Sequence, residues 1–132
     1  MSLESMTLQD LYEETARRFA QRVRDRFAAG VHSVILYGSV ARKSAGEDSD
    51  IDVLVLTADG GLARDDLVHI SESLDFENGF RTFLIATAFT PERLMELTSG
   101  DFPIAEAILR EGVVLYDDGT FERIRKNAAG AG

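Results

Sequence analysis

Two short motifs set ten residues apart limit what this chain can fold into. Val31 to Tyr37 is an apolar run closing on Gly38-Ser39, and Asp50-Ile51-Asp52 opens a second apolar run that ends at Leu56. Both read as strands, the second buried on both faces. A parallel crossover needs about a dozen residues or more, usually with a full helix. Ten residues do not supply one, so the two strands are antiparallel neighbours. The end of the first then lies beside the start of the second. Residues 57–79 form a helix-length connection to a third strand read over Phe80 to Phe89, which favours a right-handed parallel crossover. Gly38-Ser39, Asp50-Ile51-Asp52 and Phe80 to Phe83 therefore converge at one end of a sheet.

The rest of the chain supplies helices to cover that sheet. Thr7 to Ala29 has Leu8, Leu11, Tyr12, Ala16, Phe19, Ala20, Val23 and Phe27 at helical spacing, with Thr7 and Asp10 as cap and first-turn acid and Gly30 as the stop. Its arginines (Arg17, Arg18, Arg22, Arg24 and Arg26) read as a solvated face balanced by Glu13, Glu14 and Asp25. After the break at Gly60-Gly61, Leu62, Leu67, Ile70 and Leu74 make a second stripe over 62–74, and Asn78-Gly79 marks a turn. Thr90-Pro91 starts a helix, or a pair broken around Gly100 and Pro103, that runs to Arg110. Val113 to Tyr116 is a fourth strand, Phe121 to Lys126 a helical turn, and 127–132 a frayed tail. The sum is a single α/β domain over 1–132: a small mixed sheet, its first pair antiparallel, flanked by helices.

Composition narrows the function. Apolar residues at 45% exclude a disordered chain, and no apolar run is long enough to span a membrane. Met1 to Asp10 is polar and does not read as a signal peptide. The absence of cysteine excludes disulfides, thiol catalysis and cysteine zinc sites, and fits a cytoplasmic protein. A net charge of -9 repels bare nucleic acid and anionic lipid. Phosphates, if handled, then require divalent cations or placed backbone donors.

The converging residues meet that requirement. Period two puts Asp50 and Asp52 on one strand face, with Ile51 turned into the core. Side-by-side carboxylates suit Mg²⁺ or Mn²⁺, which takes one or two of them and completes its shell with water and phosphate oxygens. Gly38 lets the backbone approach a ligand, and Ser39 adds a hydroxyl beside backbone N–H donors. Together they make a site for a nucleoside triphosphate. Competing motifs fail. Val53 occupies the glycine place of an EF-hand begun at Asp48, and Tyr37 and Arg42 occupy both glycine places of a P-loop ending in Lys43-Ser44. His32 and His69 have no partners that suggest a triad or a metal site.

The stretch Val34-Ile-Leu-Tyr-Gly-Ser-Val-Ala-Arg-Lys-Ser-Ala-Gly-Glu-Asp-Ser-Asp-Ile-Asp-Val-Leu-Val-Leu56 resembles the DNA polymerase β-like nucleotidyltransferase superfamily, in particular its minimal nucleotidyltransferases. Glu111-Gly-Val-Val-Leu-Tyr116 also looks like that family. The resemblance implies a nucleotidyltransferase fold and Mg²⁺-dependent transfer of a nucleotidyl group, most often AMP from ATP, to a hydroxyl. It implies that Gly38 and Ser39 hold the triphosphate, that Asp50 and Asp52 hold the metals, and that Arg42 positions the loop or a phosphate. It further implies a HEPN-domain protein partner, as in toxin–antitoxin pairs where the nucleotidyltransferase is the antitoxin.

Two positions depart from the pattern. Lys43 stands where glycine often follows the arginine. Active members also carry a third carboxylate on a neighbouring strand, and residues 79–90 contain no acid. Asp75 and Glu77 precede that strand, and an acid at Phe83 or Ile85 would share its face. A catalytically weakened, nucleotidyltransferase-like binding module is therefore the alternative to an enzyme. Adenylylation of a small antibiotic is a weaker third reading, because such enzymes carry a further helical domain. The acceptor, nucleotide preference and oligomeric state carry no sequence signal.

Overall fold

The computed structural model describes the backbone of residues 6–131 and the side chains of 6–59 and 64–130. Its elements are α1 (Leu8–Phe27), β1 (Val31–Tyr37), α2 (Gly38–Ala41), β2 (Ile51–Thr57), α3 (Gly60–Glu77), β3 (Leu84–Phe89), α4 (Pro91–Thr98), α5 (Pro103–Glu111), β4 (Val113–Asp117) and α6 (Thr120–Ala131). The sheet order is β3-β2-β1-β4. As the ten-residue spacing requires, β1 and β2 are antiparallel, with Tyr37 opposite Asp52. β3 runs parallel to β2, with Ile51 opposite Leu84 and Asp52 opposite Ile85. β4 pairs antiparallel with β1 on its other side.

Strand alternation divides the core in two. Val34, Leu36, Ile51, Val53, Val55 and Leu84 pack with Tyr12, Phe19, Val23, Leu67 and Leu74 from α1 and α3. Ile35, Tyr37, Leu54 and Leu56 pack with Leu94, Ile108, Phe121 and Ile124 from α4, α5 and α6. Because both faces of β2 are covered, its run is apolar except for Asp52 near its start and Thr57 at its end.

Local chemistry fixes the element ends. Thr7 and Asp10 form the reciprocal capping box of α1, Asp10 N–H donating to Thr7 Oγ1 at 3.0 Å. Thr90 accepts from Arg93 N–H at the start of α4, where Pro91 needs no hydrogen-bond partner. The arginine face of α1 is partly solvated, but Glu14 is the one expected partner that pairs with it, since Glu13 takes Lys43 and Asp25 accepts from Gln21. Arg17 pairs with Glu14, Arg18 and Arg22 with Glu77, and Arg26 with Asp66.

The structure corrects the expected boundaries in three places. Gly60-Gly61 does not break the chain but opens α3. Burial of Leu67 and Leu74 holds that helix together, since tertiary packing outweighs glycine's propensity cost of about 1 kcal/mol. The third strand begins at Leu84 rather than Phe80 because α3 runs on to Glu77 and is still reversing direction there. Its end is a Schellman turn. Gly79 (φ 64°) donates to Phe76 O at 2.9 Å, and Phe80 (φ 59°) donates to Asp75 O at 2.8 Å. The last helix reaches Ala131 rather than ending at 126, because Phe121 and Ile124 anchor an alanine-rich segment of high helix propensity. The Leu62 side chain, residues 1–5 of the polar N-terminus and Gly132 of the expected tail lie outside the described residues.

Candidate functional site

The expected convergence occurs where β1 ends and β2 and β3 begin. Ile51 N–H donates to Phe83 O at 2.9 Å, which sets Asp50 beside Phe83 and Asp52 beside Ile85. Asp50 is exposed and Asp52 half-buried, and their strand positions share the face that carries Tyr37 and Leu54. Ile85 is therefore the position in register with Asp52, a choice between Phe83 and Ile85 that the sequence left open.

Gly38 follows β1 directly and sits at φ 79°. A Cβ built there would stand 2.4 Å from Asp52 Oδ2. Only glycine allows the backbone to lie this close to the carboxylate, and only glycine takes this φ without penalty. Ser39, half-buried, begins the turn, and its carbonyl accepts from Ser44 N–H at 2.9 Å. Arg42 Nη1 donates to Glu111 Oε2 at 2.9 Å, so the end of α5 holds this guanidinium over the loop. Lys43 lies at φ 61°, a left-handed backbone that explains why glycine suits this place; its Nζ pairs with Glu13 at 3.1 Å.

The loop between α2 and β2 is tied to α1. The fully buried Tyr12 directs its hydroxyl to Gly46 O at 3.0 Å and Glu47 O at 3.1 Å, and Gln9 Nε2 donates to Val40 O at 2.7 Å. Gly46 N–H donates to Ser49 Oγ at 2.8 Å. These contacts fix the approach of the chain to Asp50. Burial raises the pKa of the Tyr12 hydroxyl, Asp48 and Glu47 raise it further, and Arg81 opposes them.

Burial pushes the Asp52 carboxyl above its ordinary pKa, the charge of Asp50 adds to this, and Arg42 pulls it partway back. Tyr37 is likewise raised by burial, lowered by a hydrogen bond with Thr87 and raised by Asp52. A half-buried carboxylate facing a second one is short of positive charge. That donor set fits a hard divalent cation that brings its own water and phosphate ligands. Among the described residues no group of three or more His, Cys, Asp or Glu is placed to hold a metal ion.

The two nearby acids are engaged elsewhere. Asp75, at the end of α3, accepts from Thr82 Oγ1 at 2.7 Å and from Leu84 N–H at 3.1 Å, capping the start of β3. Glu77 accepts from Arg18 and Arg22 at 2.6–2.8 Å. Sequence reasoning missed Glu111 as the partner of Arg42, and Tyr12 and Gln9 as tethers of the loop. Glu111 lies 69 residues from Arg42 and carries no local pattern. A tyrosine within an apolar stripe was the available signal for Tyr12, since a buried hydroxyl needs a partner.

A nucleotidyltransferase domain family model matches residues 16–96. Among curated proteins none matches the sequence. Among solved structures, the fold is similar to a chain of a toxin–antitoxin crystal structure with AMP-PNP, at 17% identity and a TM-score of 0.59, over 87% of this chain and 85% of that one. It is similar to a chain of the tri-AMPylated Shewanella oneidensis HEPN toxin in complex with an MNT antitoxin, at 17% identity and a TM-score of 0.56, over 91% and 85%. It is also similar to a chain of the MntA–HepT toxin–antitoxin, at 16% identity and a TM-score of 0.53, over 89% and 85%. At these identities the likeness is one of fold.

Proposed function

The chain belongs to the nucleotidyltransferase domain family, and on that premise we propose that it transfers AMP from ATP to a hydroxyl on a partner protein. The carrying observation is the contact geometry of Gly38 and Asp52, where a Cβ would stand 2.4 Å from the carboxylate. It brings a bare backbone, suited to phosphate oxygens, against a carboxylate suited to a cation. In this reading residues 1–132 act as one catalytic domain in the cytoplasm.

Asp50 and Asp52 would hold Mg²⁺ or Mn²⁺. Such an ion, when bound, neutralises charge on the α-phosphate and on the pyrophosphate that leaves. Gly38 and Ser39 present backbone N–H and hydroxyl donors to the triphosphate, and Arg42, held by Glu111, adds a fixed positive charge beside them. Ile51, buried behind the two aspartates, anchors their strand in the core. Two solved neighbours support the nucleotide and the acceptor class: one was crystallised with AMP-PNP, the other holds a tri-AMPylated HEPN toxin with its MNT antitoxin. A HEPN-domain partner is the acceptor this reading favours.

One observation favours a second reading. Ile85 fills the register position beside Asp52, and Asp75 and Glu77 are committed elsewhere, so neither the neighbouring strand nor the acids before it supply a base for the acceptor hydroxyl. The alternative is a weakened member that binds nucleotide and acts by complex formation. Loss of general-base help typically lowers rates by about 10²–10⁴-fold.

Label transfer from ATP tagged on its α-phosphate, with Mg²⁺ and host lysate, separates these readings. Labelling of a discrete macromolecule by wild type and not by Asp50→Ala is the expected result. Equal labelling by both proteins overturns the assignment of Asp50. Labelling by neither, with metal-dependent nucleotide binding retained, selects the binding module.

A further inference from the structure

Three phenylalanines lie on the surface where α3 ends and β3 starts late. Phe76, Phe80 and Phe83 are 70%, 72% and 60% exposed, although each is large enough to anchor a core. Phe76 and Phe80 meet edge to face with ring centroids 5.8 Å apart, and the Schellman turn fixes Phe80 at a left-handed backbone. They line a groove of about 900 Å³ between the end of α3 and the start of β3. Contiguous aromatic surface of this kind on a charged protein marks an interaction site.

Position and charge specify the occupant. The backbone of Phe83 bonds that of Ile51, so the ridge ends beside Asp50. Glu72, Asp75 and Glu77 line the groove with no lysine or arginine and His69 as its one basic member. Glu77 is paired with Arg18 and Arg22, and Asp75 with Thr82 and Leu84, so Glu72 supplies the groove's open negative charge. Glu72 is exposed and pairs with no cation among the described residues. Arg81, exposed in the 80–83 segment, does not line the groove, and its charge lowers the pKa of the Tyr12 hydroxyl. A second copy of this chain, itself at -9, is disfavoured by charge.

We propose that the Phe76–Phe80–Phe83 ridge docks a basic, apolar-faced segment of a partner polypeptide and thereby brings that partner to Asp50 and Asp52. This rests on the reading of the partner as the acceptor, but the docking itself requires no nucleotide. Aliphatic side chains of the segment cover the rings. Its lysines or arginines meet Glu72 and the aromatic faces, where cations are attracted to the ring quadrupole.

The test uses the full-length protein and two short synthetic peptides of equal positive charge, one of leucine and lysine at helical spacing, the other with serine replacing leucine. Fluorescence anisotropy reads binding to wild type and to Phe76→Ala/Phe80→Asn. Alanine suits the helix, asparagine tolerates the left-handed backbone, and net charge is unchanged. Wild type is expected to prefer the leucine peptide by about 10-fold or more, and the variant to lose that preference, as for aromatic anchors of an interface. Equal affinity of wild type for both peptides, or an unchanged preference in the variant, overturns the proposal. So does a wild-type dimer that the variant dissolves, which would make a second copy the occupant. Asp50→Asn should bind the peptides as wild type does. Absence of nucleotide transfer by wild type with docking intact therefore counts against the enzyme reading alone.

Discussion

Replacing Gly38 by alanine separates two costs that coincide in one residue. The first is backbone. At φ 79° an L-residue costs about 1–2 kcal/mol, offset by about 0.4–1 kcal/mol because alanine restricts the unfolded chain. The second is contact. The new Cβ would stand 2.4 Å from Asp52 Oδ2 and 3.3 Å from Asp52 Cγ. Relieving such an overlap typically costs about 1–3 kcal/mol. Asp52→Ala removes the clashing atoms and leaves Asp52 Cβ at an ordinary 3.5 Å, so a double-mutant cycle isolates the contact. We expect Gly38→Ala to destabilise by about 2–3 kcal/mol with Asp52 in place and by about 1 kcal/mol in the Asp52→Ala background, a coupling of about 1–2 kcal/mol. Urea denaturation of the four proteins in metal-free buffer measures it. The carboxylate has a cheaper escape, which is to rotate away. The coupling then shrinks, but the arrangement facing Asp50 is lost and Mn²⁺ affinity, read by paramagnetic relaxation of water, falls. Coupling below about 0.5 kcal/mol together with unchanged Mn²⁺ affinity would refute the close approach itself.

Four further outcomes follow from the geometry. Asp52→Asn should melt higher than wild type in metal-free buffer at neutral pH, because burial and Asp50 disfavour the ionised form; a lower melting temperature contradicts this. Tyr12→Phe should lose about 1 kcal/mol in urea denaturation and speed amide exchange over residues 44–49, since the hydroxyl tethers Gly46 and Glu47. Ile85→Asp should raise α-phosphate label transfer by about 10-fold or more if an absent third carboxylate limits the rate, whereas no gain with retained folding places the limitation elsewhere. Glu77 is held below the usual carboxylate range by its hydrogen bond with Arg22 and then by Arg18. Its contribution is thus present above the unfolded pKa and lost as pH falls through the lower folded value. Thermal melts of Glu77→Gln and wild type should therefore differ at pH 7 and converge toward pH 3.

Sequence alone determined the sheet's logic. Ten residues between Gly38-Ser39 and Asp50 forced an antiparallel pair, a helix-length connection allowed the parallel third strand, and period two set Asp50 and Asp52 on one face. These are constraints of chain length and local geometry, legible without knowledge of any distant contact. Helix caps at Thr7 and Thr90 were legible for the same reason. Tertiary structure decided what depends on residues far apart in the chain. Packing of Leu67 and Leu74 carried α3 through Gly60-Gly61 and on to Glu77, which delayed β3 and left Phe80 and Phe83 outside. That delay also chose the register, placing Ile85 beside Asp52, and drew Asp75 and Glu77 into other bonds. The pairing of Arg42 with Glu111 and the tether of Tyr12 to Gly46 join residues 69 and 34 positions apart. No local pattern encodes such contacts, because they exist only once two sheet faces are covered and their helices are brought to the same end.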